Sequence, residues 1–249
     1  MTRIILCGAN GKMGKVIQSV VAARNDCEIV AGVDINTSGA DFPVYATLSE
    51  VNEEADVIID FTNPILLGDL LDFAVSKTMP VVIATTGYDE GQKKMIEEAS
   101  KKTPVFFTYN MSLGINLLAN LAKKAVSVLG DDFDIEIVEK HHNQKIDAPS
   151  GTALMLADAI CGELDKPMKY EYDRHSKREK RTKNEIGLHA IRGGTIVGEH
   201  DIIFAGRDEI ITLSHSARSK EIFAVGAVNA AVFMAGKEPG MYDMSGLVE

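Results

Sequence analysis

The chain has 249 residues, 45% of them hydrophobic, a mean hydropathy of +0.01 and a formal charge of −10. That length provides ample core for one large domain or two modest ones, and no apolar run approaches the ~20 residues of a membrane helix. The acidic balance argues against nucleic acid or an anionic membrane as main partner, so an anionic ligand has to be drawn by a local basic cluster.

Ile4-Ile5-Leu6-Cys7 reads as a short strand, followed by the turn Gly8-Ala9-Asn10-Gly11-Lys12-Met13-Gly14 and a helical pattern in Val16, Ile17, Val20 and Val21. Strand, glycine turn and helix in that order are the context of a dinucleotide-binding fingerprint. Gly8 allows the tight turn, Gly11 the approach of backbone to a pyrophosphate, and Gly14 close helix packing. Asn10 stands where a glycine is common, and Asn tolerates left-handed backbone better than most residues. The next strand, residues 28–34, ends in Asp34, an acid about 20 residues beyond the glycines, where ribose hydroxyls are expected. Any α/β domain could carry a glycine turn; the placed acid favours nucleotide binding. The stretch before the glycines is too short for a signal peptide. Cys7, Cys27 and Cys161 are odd in number and form no C-x-x-C pair, which suits reduced thiols and a cytoplasmic location.

Strands and helices then alternate: a strand at 55–61, a helix at 65–76 capped by Asn63-Pro64, a strand at 80–84, a polar helix at 89–101 and a strand at 104–107. Such alternation predicts a parallel sheet with ligands beyond the carboxyl ends of its strands. The segments there are Asp60-Phe61-Thr62, Ala84-Thr85-Thr86-Gly87-Tyr88 and Tyr109-Asn110-Met111-Ser112. Taken singly, each is also ordinary turn chemistry.

From Leu113 the pattern changes. A helix at 113–129 leads to a strand at 134–139, and three further strands are expected at 187–191, 195–205 and 209–215, with a polar stretch at 165–185 before them. Strands without intervening helices predict an antiparallel or mixed sheet. A helix at 220–235 follows. The basic run Arg174-His175-Ser176-Lys177-Arg178-Glu179-Lys180-Arg181-Thr182-Lys183 reads as a solvated loop.

Between these strands lies Glu139-Lys140-His141-His142-Asn143-Gln144-Lys145-Ile146-Asp147-Ala148-Pro149-Ser150-Gly151-Thr152-Ala153. His141, His142 and Lys145 precede a helix start at Ser150-Gly151-Thr152, whose unpaired N–H groups and dipole suit an anion. Cations beside such a turn suit the binding and protonation of an acidic small molecule. Alone, His141 would read as a core histidine and Lys145 as a surface lysine. A metal site on His141, His142 and Asp147 is disfavoured, because adjacent strand residues face opposite ways and no Cys or further His stands at ligand spacing.

This motif resembles that of the dihydrodipicolinate (4-hydroxy-tetrahydrodipicolinate) reductase family, E-x-H-H-x-x-K-x-D-A-P-S-G-T-A. The likeness extends to Gly8–Gly14, Asp60-Phe61-Thr62, Thr85-Thr86-Gly87, Asn110-Met111-Ser112, residues 192–200 and Gly236-Lys237-Glu238. It implies an α/β fold with a Rossmann-like nucleotide-binding domain, residues 1–112 and 220–249, and an inserted α+β domain on a mixed sheet, residues 113–219, that binds substrate and builds a homotetramer. It further implies His141 and Lys145 as the acid–base pair, with Lys145 the donor. His142, Ser150, Gly151 and Thr152 would hold a small dicarboxylate. NADH or NADPH would lie on Gly8, Asn10, Gly11, Lys12, Met13, Gly14, Asp34, Phe61, Thr62, Thr85, Thr86, Gly87, Asn110, Met111 and Ser112. Hydride would pass to the substrate ring with loss of its hydroxyl as water, in the diaminopimelate route to lysine. Members favouring NADPH often have a basic residue after the acid; here Ile35-Asn36 follows Asp34, which leaves dual use with some preference for NADH. The alternatives are another imine or amino-acid dehydrogenase, or an NAD(H) sensor without turnover.

Overall fold

Ile4, Ile5, Leu6 and Cys7 are buried in succession at the end of β1 (Thr2–Cys7), the pattern of a strand covered on both faces. In the computed structural model, which describes residues 1–248, β1 is followed by α1 (Lys12–Ala22), β2 (Cys27–Val33), β3 (Val44–Tyr45) and β4 (Val57–Asp60). Next come α2 (Leu67–Lys77), β5 (Val81–Ile83), α3 (Glu90–Ser100) and β6 (Pro104–Phe107). Asn63 caps the chain's entry to α2, its Oδ1 accepting the Ile65 N–H at 3.1 Å, with Pro64 in first position. The opening turn Pro64–Leu66 is a 3-10 turn, so the α-helix starts two residues later than the sequence suggests.

The second unit, Gly114–Lys220 by its own contacts, takes in nearly all of α4 (Leu113–Leu129), then β7 (Asp134–His141), α5 (Gly151–Cys161), β8 (Lys169–Glu171), β9 (Glu185–Arg192), β10 (Gly198–Ala205) and β11 (Ile210–Ala217). The strands lie in the order β11-β10-β7-β9-β8. β10 runs antiparallel to β11 and β7, while β7 and β8 run parallel to β9, so the sheet is mixed. On β7 Ile135, Ile137, Glu139 and His141 are buried in strict alternation, facing a core that includes Ala122, Leu156 and Ile160 of α4 and α5.

α6 (Glu221–Met234), β12 (Gly240–Tyr242) and α7 (Ser245–Val248) rejoin the first unit, which consists of Met1–Leu113 and the chain from Glu221 onward. Its sheet has the order β12-β6-β5-β4-β1-β2-β3, with every pairing parallel. α1 and α6 pack on one face over Ile4, Leu6 and Ile59; α2 and α3 cover the other over Ile5, Ile58 and Ile83. No helix among the described residues is long and apolar enough to cross a membrane.

Two local expectations need correction, and a third is refined. The stretch 165–185 contains the strand β8, whose three residues are too few for a period to show. The strand expected from Thr195 begins at Gly198, after a turn in which Gly194 adopts a φ of +48°. The basic run 174–183 is a loop and mostly exposed, as expected, but three of its cations turn back to acidic residues of the sheet. Arg174 bonds Glu185 at 2.7 Å, Lys177 bonds Glu171, and Arg181 bonds Glu136 at 2.9 Å and the carbonyls of Ile135 and Glu185 at 2.8 and 2.7 Å.

Candidate functional site

In the first unit the glycine turn joins β1 to α1. Gly8 has a φ of +79°, and a Cβ there would lie 2.4 Å from the carbonyl oxygen of Phe61, so only glycine fits. Gly14 lies as close to the turn: a Cβ would meet the Gly8 oxygen at 2.1 Å. Gly11 is the N-cap of α1 and offers no side chain to the first-turn N–H groups, which suits them to a phosphate. Lys12 is exposed beside them and Met13 half-buried. Asp34, just past β2, accepts the Asn10 N–H at 2.9 Å and the Asn36 N–H at 3.0 Å. The Asn10 amide donates to the carbonyls of Asn36 and Ser38 at 2.6 and 3.1 Å, lacing the turn to the loop after Asp34.

Cys7 and Asp60 are register partners at the carboxyl ends of β1 and β4, where the strand order reverses. The buried Asp60 carboxylate accepts the hydroxyls of Thr62 and Thr85, each at 2.6 Å, and Thr85 Oγ1 accepts the Thr62 N–H at 2.8 Å. One carboxylate thereby clamps the loops after β4 and β5, which carry Phe61, Thr86 and Gly87 as well. Burial pushes the Asp60 carboxyl up, against the pull of those hydroxyls. A cavity of about 540 Å³ opens here, lined by Cys7, Val33, Thr62, Leu70 and Phe73 among others. After β6, Asn110 Oδ1 accepts the Ser112 N–H at 2.8 Å. Met111 is buried under α6, where Gly226 allows the approach: a Cβ there would lie 1.7 Å from the Met111 oxygen.

In the second unit β7 sets Glu139 and His141 on its core face, two residues apart. Glu139 Oε2 lies 2.6 Å from His141 Nδ1, Arg192 bonds both carboxylate oxygens at 2.7 Å, and Oε1 accepts the Ser150 N–H at 2.9 Å. Burial alone would raise the Glu139 carboxyl; its bonds to Arg192, His141 and Ser150 outweigh that and hold it below the usual carboxylate range. Ser150 is the N-cap of α5, its Oγ accepting the Ala153 N–H at 3.2 Å and lying 3.1 Å from His200 Nε2. Gly151 and Thr152 form the first turn. Burial, with His141 beside it, lowers His200 to about 4, so that ring is neutral near pH 7. His142 is half-buried just past the strand. Lys145 sits in the turn beyond, its side chain 21% exposed and paired with Asp147 Oδ2 at 2.9 Å. Its neighbour by contact is thus an anion, where the sequence stressed cations. Arg192 Nη2 also donates to the Asp147 carbonyl at 2.6 Å, fastening the motif's loop to β9.

Within each unit the candidate residues therefore gather: the glycine turn, Asp34 and the Thr62 and Thr85 loops in the first, and His141, His142, Lys145 and the α5 start in the second. Sequence reasoning gave no role to Asp60, Glu139, Arg192 or His200. For Glu139 a signal was present, since a Glu two residues before a His on a strand shares its face. Arg192 and His200 come close through strand pairing alone, opposite His141 and Glu139 respectively.

The chain matches two family models end to end, "Dihydrodipicolinate reductase, N-terminus" over residues 2–111 and "Dihydrodipicolinate reductase, C-terminus" over residues 114–248. It is 57% identical to 4-hydroxy-tetrahydrodipicolinate reductase of Caldanaerobacter subterraneus subsp. tengcongensis over 100% of this chain and 99% of that one. The enzyme of the same name from Clostridium tetani is 52% identical over 98% and 96%. Among solved structures, dipicolinate-bound dihydrodipicolinate reductase from Paenisporosarcina sp. TG-14 superposes with a TM-score of 0.79 at 25% identity, covering 98% of this chain and 97% of that one.

Proposed function

The chain belongs to the dihydrodipicolinate reductase family, and on that premise we propose how its own residues carry the family's reaction. The protein is an NAD(P)H-dependent oxidoreductase that reduces 4-hydroxy-tetrahydrodipicolinate to tetrahydrodipicolinate with loss of water, in the diaminopimelate route to lysine. The observation that carries the residue assignment is the network in which Glu139 joins His141 to the Ser150 N–H and, through Arg192, to the carbonyl of Asp147, the ion-pair partner of Lys145.

The first unit holds the cofactor, which when bound supplies the hydride. Gly8, Asn10, Gly11, Lys12, Met13 and Gly14 take the pyrophosphate, Asp34 the ribose of the adenosine half, and the loops of Phe61, Thr62, Thr85, Thr86, Gly87, Asn110, Met111 and Ser112 the remainder. The tight glycine turn, where a Cβ at Gly8 or Gly14 would strike backbone oxygens, supports this reading. The second unit holds the dicarboxylate. One carboxylate takes the start of α5 at Ser150, Gly151 and Thr152, where the helix dipole and first-turn N–H groups favour an anion while the Ser150 N–H stays on Glu139, and the other meets His142 and Lys145. One proton is consumed per turnover. The Lys145 ammonium is the donor, with His141 as its acid–base partner.

Two broader assignments go with this reading. Three free cysteines, two of them buried, suit a reducing cytoplasm. The mixed sheet turns Val138, Ile203 and Ile210 away from its own helices, a face that a homotetramer would cover.

The test is the loss of nicotinamide absorbance on addition of substrate. Lys145→Ala should cut kcat by about 10²-fold or more with little change in fold, a general acid being worth that much. A variant with near-native kcat removes Lys145 from the mechanism.

A further inference from the structure

The Glu139 side chain is fully buried, yet it meets four nitrogens: Ser150 N at 2.9 Å, Arg192 Nη1 and Nη2 each at 2.7 Å and His141 Nδ1 at 2.6 Å. Paired in this way with a guanidinium, the group is a carboxylate, and a carboxylate can only accept. The hydrogen between Glu139 and His141 therefore sits on Nδ1. In the neutral ring that leaves Nε2 with its lone pair, and in the cation it makes Nε2–H the proton to give. Space is kept at that nitrogen as well, since a Cβ on Gly198 would come within 3.1 Å of Nε2.

We propose that Glu139, braced by Arg192, is a positioning residue of the reduction: it holds His141 in the Nδ1–H tautomer, directs Nε2 to the reacting groups, and fixes that ring relative to the start of α5 through the Ser150 N–H. Arg192 has a second part in it. By bonding Glu139 and the Asp147 carbonyl together, it keeps the carboxylate charged in a buried place and anchors the loop that carries Lys145. The inference rests on the assignment of His141 as an acid–base group.

Glu139→Gln tests it by chemistry rather than by shape. If the glutamine oxygen faces His141, its NH2 group is set against the donors of Arg192 and Ser150. If the NH2 group faces His141, Nδ1 has to accept and the hydrogen moves to Nε2. The readout is the tautomer of His141, from nitrogen-15 chemical shifts of the free protein at a pH where the ring is neutral. The native protein should show Nδ1–H and the variant a shift to Nε2–H. kcat should fall about 10²-fold or more, while KM for the cofactor stays within about threefold. Glu139→Asp, which keeps an acceptor-only group, should retain the Nδ1–H form and more of kcat than Glu139→Gln. Native His141 found as Nε2–H overturns the proposal even if no variant folds. So does a Glu139→Gln protein with native kcat, provided His141→Gln is inactive. An active His141→Gln protein instead overturns the acid–base assignment beneath it.

Discussion

Asp34 illustrates how much one carboxylate is asked to do. Its two oxygens already accept the N–H groups of Asn10 and Asn36, at 2.9 and 3.0 Å, and each oxygen keeps a lone pair for a ribose hydroxyl. A 2′-phosphate brought to the same place meets a negative charge. Lys12, exposed in the glycine turn, is the cation of that turn and can offset it in part. NADH and NADPH should both be used, with some preference for NADH in kcat/KM. Lys12→Ala should lower kcat/KM for NADPH by up to roughly fivefold, the upper worth of one exposed ion pair, and leave NADH nearly unchanged. Strong preference for NADPH that survives Lys12→Ala would make both residue assignments wrong. Asp34 was legible in the sequence because the distance from a glycine turn to the ribose acid is set by one helix and one strand. Asn10 was read as a tolerated exception to the glycine pattern and, through the family likeness, as one of the cofactor residues. Its bonds to Asn36 and Ser38 cross between two loops, and no local rule announces them.

Among the elements, β7 and α5 are the ones to which the proposed reading gives the substrate. The sequence ends β7 at Glu139, since His-His-Asn-Gln has no strand character of its own. Pairing with β9 carries the strand on to His141, opposite Arg192, and so tertiary contact rather than propensity sets the ring's place. The start of α5 was legible for a local reason: Ser150 is a strong cap and accepts the Ala153 N–H at 3.2 Å. β8 was not, and neither were β3 and β12, for these short strands exist only by joining a sheet already formed. The helix start yields a direct test. Pyridine-2,6-dicarboxylate should compete with substrate, whereas its neutral diamide, which forfeits the charge–dipole term and the charge-assisted hydrogen bonds, should bind far more weakly. Equal inhibition by the two compounds would show that no anion site lies at Ser150-Gly151-Thr152.

At the scale of the whole molecule, the chain returns to its first unit at the end. α6 buries Ala224, Gly226, Ala227, Val228, Ala230, Ala231 and Met234, so it reads as a core helix, and β12 pairs in parallel with β6 at the sheet's edge. The helix itself was plain in the sequence, but its allegiance to the first unit was available only through the family likeness, because composition does not say which core a helix completes. For the proposed homotetramer, the face to examine is on the other sheet. The period of two that buries Ile135, Ile137, Ile202 and Phe204 sends Val138, Ile203, Ala205 and Ile210 to the opposite face, among Glu136, Lys140, Glu199 and Asp201. Ile210 is 68% exposed on that face, beside Ala205 in the register. If like faces meet about two-fold axes, Ile203, between Glu136 and Thr212 in the sheet, lies in the contact. Light scattering after gel filtration should then give a mass of four times 27.0 kDa for the native protein. Ile203→Glu places a second carboxylate opposite that of Glu136 in the contact, and should release smaller species that keep the native circular dichroism. A native chain of 27.0 kDa mass at micromolar concentration, or a variant as large as the native assembly, would remove this face from the contact.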